Sequence, residues 1–227
     1  MNRIGLCLVL FFSVFFSDGI AQNSEVRKLN SFDEIRVSEA ITVYLKEGNT
    51  EELRLEVSGI DLDQVITEVH GSRLKIHLED GRFRSHSVKV YVTYKTLESI
   101  SASSASNVFS ESVIKGQRLD IAVSSAADVE VDVEVDEVEI SVSSSGDLDI
   151  SGKAKNIEIS VSSAGGVDAY DLDARRVYVR ASSGGSAKVS VKEEIDARAS
   201  SGGSVRYKGN PAKSKTDSSS GGSVRKS

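Results

Sequence analysis

Apolar and polar residues alternate along most of this chain with the period of two that marks β-strands. Clean alternating runs stand at Ile35-Arg36-Val37, Ile41 to Leu45, Leu53 to Val57, Leu74 to Leu78 and Val88 to Val92. Turn pairs at Gly48-Asn49, Gly71-Ser72 and Asp80-Gly81 separate several of them. Leu62, Val65, Ile66 and Val69 have helical spacing, but a turn followed by a strand is the better reading of that stretch. From residue 97 the alternation becomes a repeat. Seven Ser-Ser phrases, beginning at Ser103, Ser124, Ser143, Ser162, Ser182, Ser200 and Ser219, are spaced 21, 19, 19, 20, 18 and 19 residues apart. A period near 20 residues predicts a solenoid, in which each coil buries its apolar face only against its neighbours.

Counted from the second serine of each phrase, apolar columns recur at six, four and two residues before it and at four and six after it. The column four before it reads Ile100, Ile121, Ile140, Ile159, Val179 and Ala197; the one four after it reads Val108, Val129, Leu148, Val167, Ala187, Val205 and Val224. Alternate strand residues share a face, so these columns and the second serine itself are expected to point inward. The spacing across the corner is constant, which makes the phrase a fixed bend and the return segment the site of insertions. Gly146, Gly165, Gly185, Gly203 and Gly222 stand two residues past the second serine, where a turn with positive φ is expected. Stacked serine hydroxyls are expected to bond to one another and to corner backbone groups. The last coil carries Ser214, Thr216 and Ser218 at its inward positions, a polar cap for the stack.

The first residues change the picture of where the chain works. Arg3 precedes an apolar run from Ile4 to Phe16, and Gly19 and Ala21 are small residues placed for cleavage after Ala21. Residues 1–21 therefore read as a signal peptide, too short to span a bilayer as a helix. Cys7 lies before most of the apolar stretch, which disfavours lipid attachment. Cleavage would remove this single cysteine and leave a chain without disulfides, held together by its core. Residues 22–227 read as one domain, with an irregular β-rich part at 25–96 and the repeat coils at 97–227. The expected location is exported: periplasm, outer-membrane surface or extracellular space.

Net charge is −6, but its distribution says more. From Leu97 to Ala174 there are 4 Lys or Arg against 16 Asp or Glu; from Arg175 to Ser227 there are 12 against 4. Nucleic acid is an unlikely partner for an exported chain, so the basic end is matched to anionic envelope polysaccharide, to a membrane or surface protein, or to acidic coils of a second copy through the coil ends. Arg180, Arg198, Lys188, Arg206 and Arg225 form an outward basic strip around one corner. Glu130, Asp149 and Asp168 form an outward acidic column, read first as a solvated face, second as a weak cation site and last as catalytic carboxylates. No catalytic residue and no cofactor is indicated: seven serines in one register, with no histidine beyond His86, cannot make a nucleophile and base pair. His70, His77 and His86 lack metal-ligand spacing and read as surface residues.

Several stretches together resemble the head GIN domain family, described as a "putative auto-transporter adhesin" domain of exported bacterial proteins. They are Phe32-Asp33-Glu34-Ile35-Arg36-Val37 with Ile41-Thr42-Val43, Gly71 to Ile76, Leu97-Glu98-Ser99-Ile100, and Tyr207 to Pro211. The resemblance runs from Phe32 to the end. It implies a right-handed parallel β-helix-like fold with no assigned catalytic residues, which together with the repeat gives an all-β solenoid of about seven coils of about 19 residues. Three functions follow as alternatives: a non-catalytic, adhesin-like envelope or surface module that binds a polymer or protein; a polysaccharide lyase or hydrolase on a β-helix; and a periplasmic structural or signalling partner of a membrane protein.

Overall fold

The computed structural model describes residues 23–81 and 85–227, so the signal-peptide reading lies outside the described residues. Among the described residues, seventeen strands join in one continuous sheet that winds into a β-solenoid. The strands β8 (Ser99–Ala102) and β9 (Asn107–Ser110) flank the first serine corner. β9 and then β10 (Ile114–Val123) lead from the first corner to the second, and β11 (Asp128–Val142), β12 (Asp147–Val161), β13 (Gly166–Ala181) and β14 (Ser186–Ala199) each run from one corner to the next. β15 (Ser204–Lys208), β16 (Lys213–Ser218) and β17 (Ser223–Lys226) complete the last coils. All pairings among these strands are parallel and in repeat register: Ile100, Ile121, Ile140, Ile159, Val179 and Ala197 form one buried ladder. Length differences between coils fall in the return segment, where the β12/β13 and β13/β14 registers shift, and the corner spacing stays constant.

The corner differs from its sequence reading in two ways. The second serine of every phrase is exposed and has positive φ, from 55° at Ser104 to 47° at Ser220, and the next residue, such as Ala105 at 59°, is also left-handed. A main-chain bond from the residue two past it back to the first serine, for example Ser106 N–H to Ser103 C=O at 3.3 Å, closes a four-residue turn with the dihedral signature of type I′. The apex of such a turn has no core within reach, so the second serine points out. The residue two past it points in instead: Ser106 and Ala127 are fully buried.

Gly146, Gly165, Gly185, Gly203 and Gly222, which share that inward column, have no positive φ. Their constraint is steric. A Cβ on Gly185 would stand 2.8 Å from Val161 O and 2.9 Å from Ser162 N, in the corner of the preceding coil. The hydroxyl ladder is likewise replaced by main chain. Ser124 N–H donates to Ala102 C=O at 3.0 Å and Ala126 N–H to Ser144 C=O at 3.1 Å, a pattern repeated from coil to coil.

The first half is less irregular than its sequence suggests. Its strands are β1 (Asn23–Lys28), β2 (Glu34–Val37), β3 (Thr42–Glu47), β4 (Glu52–Ser58), β5 (Val65–His70), β6 (Arg73–Leu78) and β7 (Ser87–Tyr94), with one 3-10 turn at Leu62–Gln64 before β5. β2 lies parallel between β6 and β8, and β3 parallel between β7 and β9. Ser38-Glu39-Ala40 is thus another corner of the same kind, with Glu39 and Ala40 at φ 67° and 58° and Ala40 N–H bonded to Ser104 C=O at 2.9 Å. The coil formed first in sequence is second in space. Antiparallel pairings of β4 on β7, β1 on β4 and β5 on β6 then end the stack. At the other end Ser214, Thr216 and Ser218 are exposed and pair over Ile195, Ala197 and Ala199, which remain buried. The polar last coil therefore shields the core from water.

Candidate binding faces

One outward column runs the length of the solenoid after the corner. In register it reads Tyr91, Tyr44, Phe109, Glu130, Asp149, Asp168, Lys188, Arg206 and Arg225. Three aromatics, three acids and three bases follow one another. Tyr44 stacks on Tyr91 with ring centroids 5.0 Å apart and on Phe109 at 5.6 Å, and the Arg54 guanidinium lies 4.1 Å from the Tyr91 centroid. The stacking occupies these ring faces, so the ladder stabilises the coil stack. Tyr44 and Tyr91 could not be aligned with Phe109 from sequence, because the first half carries no serine phrase.

The acids form a line of single groups, one per coil. Among the described residues no group of three or more Asp, Glu, His or Cys side chains is arranged to hold a metal ion. Partial burial, together with the charges of Asp168 and Glu130, raises the Asp149 carboxyl above its ordinary value. Asp168 is relieved by Lys188, whose Nζ donates at 2.8 Å and is held more firmly protonated by that bond.

This geometry gives a signed pH dependence. A carboxyl with a raised folded pKa costs stability when ionised. That cost is present at neutral pH and vanishes as pH falls through the raised value toward the ordinary one near 3.8. Asp149→Asn should therefore melt at a higher temperature than wild type at pH 7, with the difference closing in acid. A melting series from pH 7 to 4 measures this; a constant difference would assign the effect to packing.

The five members of the expected basic strip are not equivalent. Arg180 and Arg198 are neighbours across β13 and β14 on the face before the corner, and Lys188, Arg206 and Arg225 are neighbours on the face after it. Arg180 pairs with Glu158 at 3.3 Å, Arg198 with Asp196 at 3.2 Å and Lys188 with Asp168 at 2.8 Å. Arg206 and Arg225 are exposed and have no ion-pair partner among the described residues. The histidines are less uniform than expected: His70 is exposed and 2.6 Å from Glu68, whereas His77 and His86 are half-buried. Sequence reading also passed over Tyr178. It stands five residues before Ser183 in an outward column and keeps 42% of its surface exposed.

A parallel solenoid with serine corners and a charge gradient along its coils defines the class: an all-β repeat scaffold that offers long outward faces. Residues 31–211 match the family described as "Putative auto-transporter adhesin, head GIN domain", and the chain belongs to that family. The match stops at Pro211, so the last corner and its flanking strands lie beyond it, contrary to the expectation that it would reach the end.

Crystal structures of similar fold include a putative adhesin from Bacteroides fragilis, with TM-score 0.82 and 19% identity, covering 92% of this chain and 98% of that one. A putative adhesin from Parabacteroides distasonis has TM-score 0.72 and 22% identity over 92% and 98% of the two chains. A protein from the same species described as a putative lipid binding protein has TM-score 0.65 and 21% identity over 91% and 96%. At these identities the likeness establishes the fold. No match was found among curated proteins.

Proposed function

We propose that this chain is a non-catalytic, adhesin-like module of the cell envelope or surface that binds anionic envelope polysaccharide through its basic end. The observation that carries this reading is the pair Arg206 and Arg225, adjacent cations without ion-pair partners among the described residues, at the end of a column in which Lys188 is already engaged. Their desolvation breaks no internal pair, whereas recruiting Arg180, Arg198 or Lys188 competes with Glu158, Asp196 or Asp168. The adhesin description of the family and of its structural relatives supports a surface-binding role.

Exposed cations are screened within about 8–10 Å at physiological salt, so binding should weaken steeply as salt rises. The wild type should be retained on immobilised polygalacturonate at low salt and released at moderate salt. Arg206→Glu with Arg225→Glu should abolish retention, while Arg180→Glu should reduce it less. Retention that ignores salt, or that survives the double change, would remove the basic end as the binding surface.

A further inference from the structure

The face before the serine corner carries two shallow grooves, the first over β10 to β13 and the second over β11 to β13. The first, about 320 Å³, is lined by Arg118, Glu137, Glu139, Asn156, Glu158, Arg176 and Tyr178 among others. The second, about 370 Å³, is lined by the serines 141, 143, 160, 162 and 182 together with Arg180. Glu158 borders the first and Arg180 the second, and their ion pair joins the two. We propose that this face binds an uncharged, hydroxyl-rich glycan chain, with one sugar ring against Tyr178 and its continuation over the serine groove.

Three observations point to that chemistry. The Tyr178 ring is exposed and, among the described residues, has no aromatic, cationic or hydrogen-bonding partner, in contrast to the stacked Tyr44, Tyr91 and Phe109. An amphipathic ring of this kind offers an apolar face to the C–H face of a sugar and a hydroxyl to its rim.

Donors and acceptors are also interleaved and already fixed. Arg118 donates to Glu139 at 2.6 Å and to Asp120 at 2.9 Å, and Arg176 donates to Asn156 Oδ1 at 2.9 Å. The Asn156 amide N–H groups and Glu158 Oε2 remain for a ligand, whose binding then costs little side-chain ordering.

The charge balance selects against a polyanion. The first groove presents Glu137, Glu139 and Glu158 against Arg118 and Arg176, and the second presents mostly hydroxyls. Sugar hydroxyls can donate to the carboxylates and accept from the guanidinium and amide groups, whereas a phosphate or uronate chain would meet three carboxylates. Volumes of this size suit a ligand segment of one or two rings in each groove.

This site is separate from Arg206 and Arg225, which lie on the opposite side of the corner, and shares only Arg180 with the basic strip. The chain has no tryptophan, so Tyr178→Trp places a single reporter in the first groove. Titrating that variant with cellohexaose, chitohexaose and mannohexaose should give a saturable emission shift with at least one of them. Calorimetry of the wild type should show the same preference, unchanged between low and high salt. Tyr178→Ala and Glu158→Gln should each weaken binding by about tenfold, and Arg206→Glu should leave it unchanged. Absence of binding by all three neutral hexasaccharides at millimolar concentration would overturn the proposal. So would binding confined to oligogalacturonate and lost at high salt, or an emission shift produced only by envelope proteins.

Discussion

Ile140→Asp is expected to abolish folding. Ile140 is 1% exposed and sits in the ladder between Ile121 and Ile159, at the middle of the stack. The substitution removes a buried aliphatic side chain, worth about 2–5 kcal/mol in such series. It also places a carboxyl where no hydrogen-bond partner is available, at a further cost of several kcal/mol, which protonation only partly offsets. The sum rivals the entire stability of a domain of this size, about 5–15 kcal/mol. Solenoid coils are stabilised through their neighbours, so the defect cuts the stack in two. Ser141→Asp is the control, one residue on and exposed. Circular dichroism should show a cooperative melt for Ser141→Asp and none for Ile140→Asp. Similar melts for both would mean that the inward and outward faces of the coil are exchanged.

The second large effect is Gly203→Ala, which separates two explanations of the corner glycines. Gly203 does not have positive φ, so alanine is acceptable to its backbone; the added Cβ, however, would stand 2.8 Å from Ser182 N and closer still to the Ala181 carbonyl. Both atoms belong to the corner of the preceding coil, so the room that Ala127 has in its own coil would have to be made at Gly203 by shifting main chain. Overpacking of this kind costs about 1–3 kcal/mol, and a melting temperature lower by about 3–10 °C follows.

Gly202 gives the opposite case. Its φ is +76° and no atom crowds its Cβ position. Alanine already occupies the equivalent left-handed site at Ala105, Ala126 and Ala164, so Gly202→Ala should cost roughly 1 kcal/mol or less. If Gly202→Ala proved the more damaging, the glycines would be required by φ and the close approach would be incidental.

The corner also shows where sequence periodicity stops being informative. Alternation assigns sides correctly while the backbone is extended, and the columns six, four and two before the second serine and four and six after it are buried with few exceptions. Through Ser104 and Ala105 the backbone is left-handed, so counting by twos no longer tracks direction. The second serine then points out, and the glycine column, read as conformational, is an inward position where neighbouring coils nearly touch. The basic strip has a similar limit. Its register was legible because the repeat fixes which residues are neighbours. Its ion pairs were not, since Arg180 meets Glu158 only after the side chains of adjacent coils are placed together.

By itself, the sequence determined the solenoid, its coil length, the inward columns, the polar last coil and the acidic-to-basic gradient, all of which depend on short-range alternation and on one repeated spacing. The tertiary structure alone decided that β2 and β3 slip between β6–β7 and β8–β9, that Tyr91, Tyr44 and Phe109 form one stack, and that Tyr178 stands exposed beside a groove. The reason is physical. Pairing of Glu34 with Ser99 joins residues far apart in the chain through main-chain hydrogen bonds, which any sequence can make, so no side-chain pattern announces it.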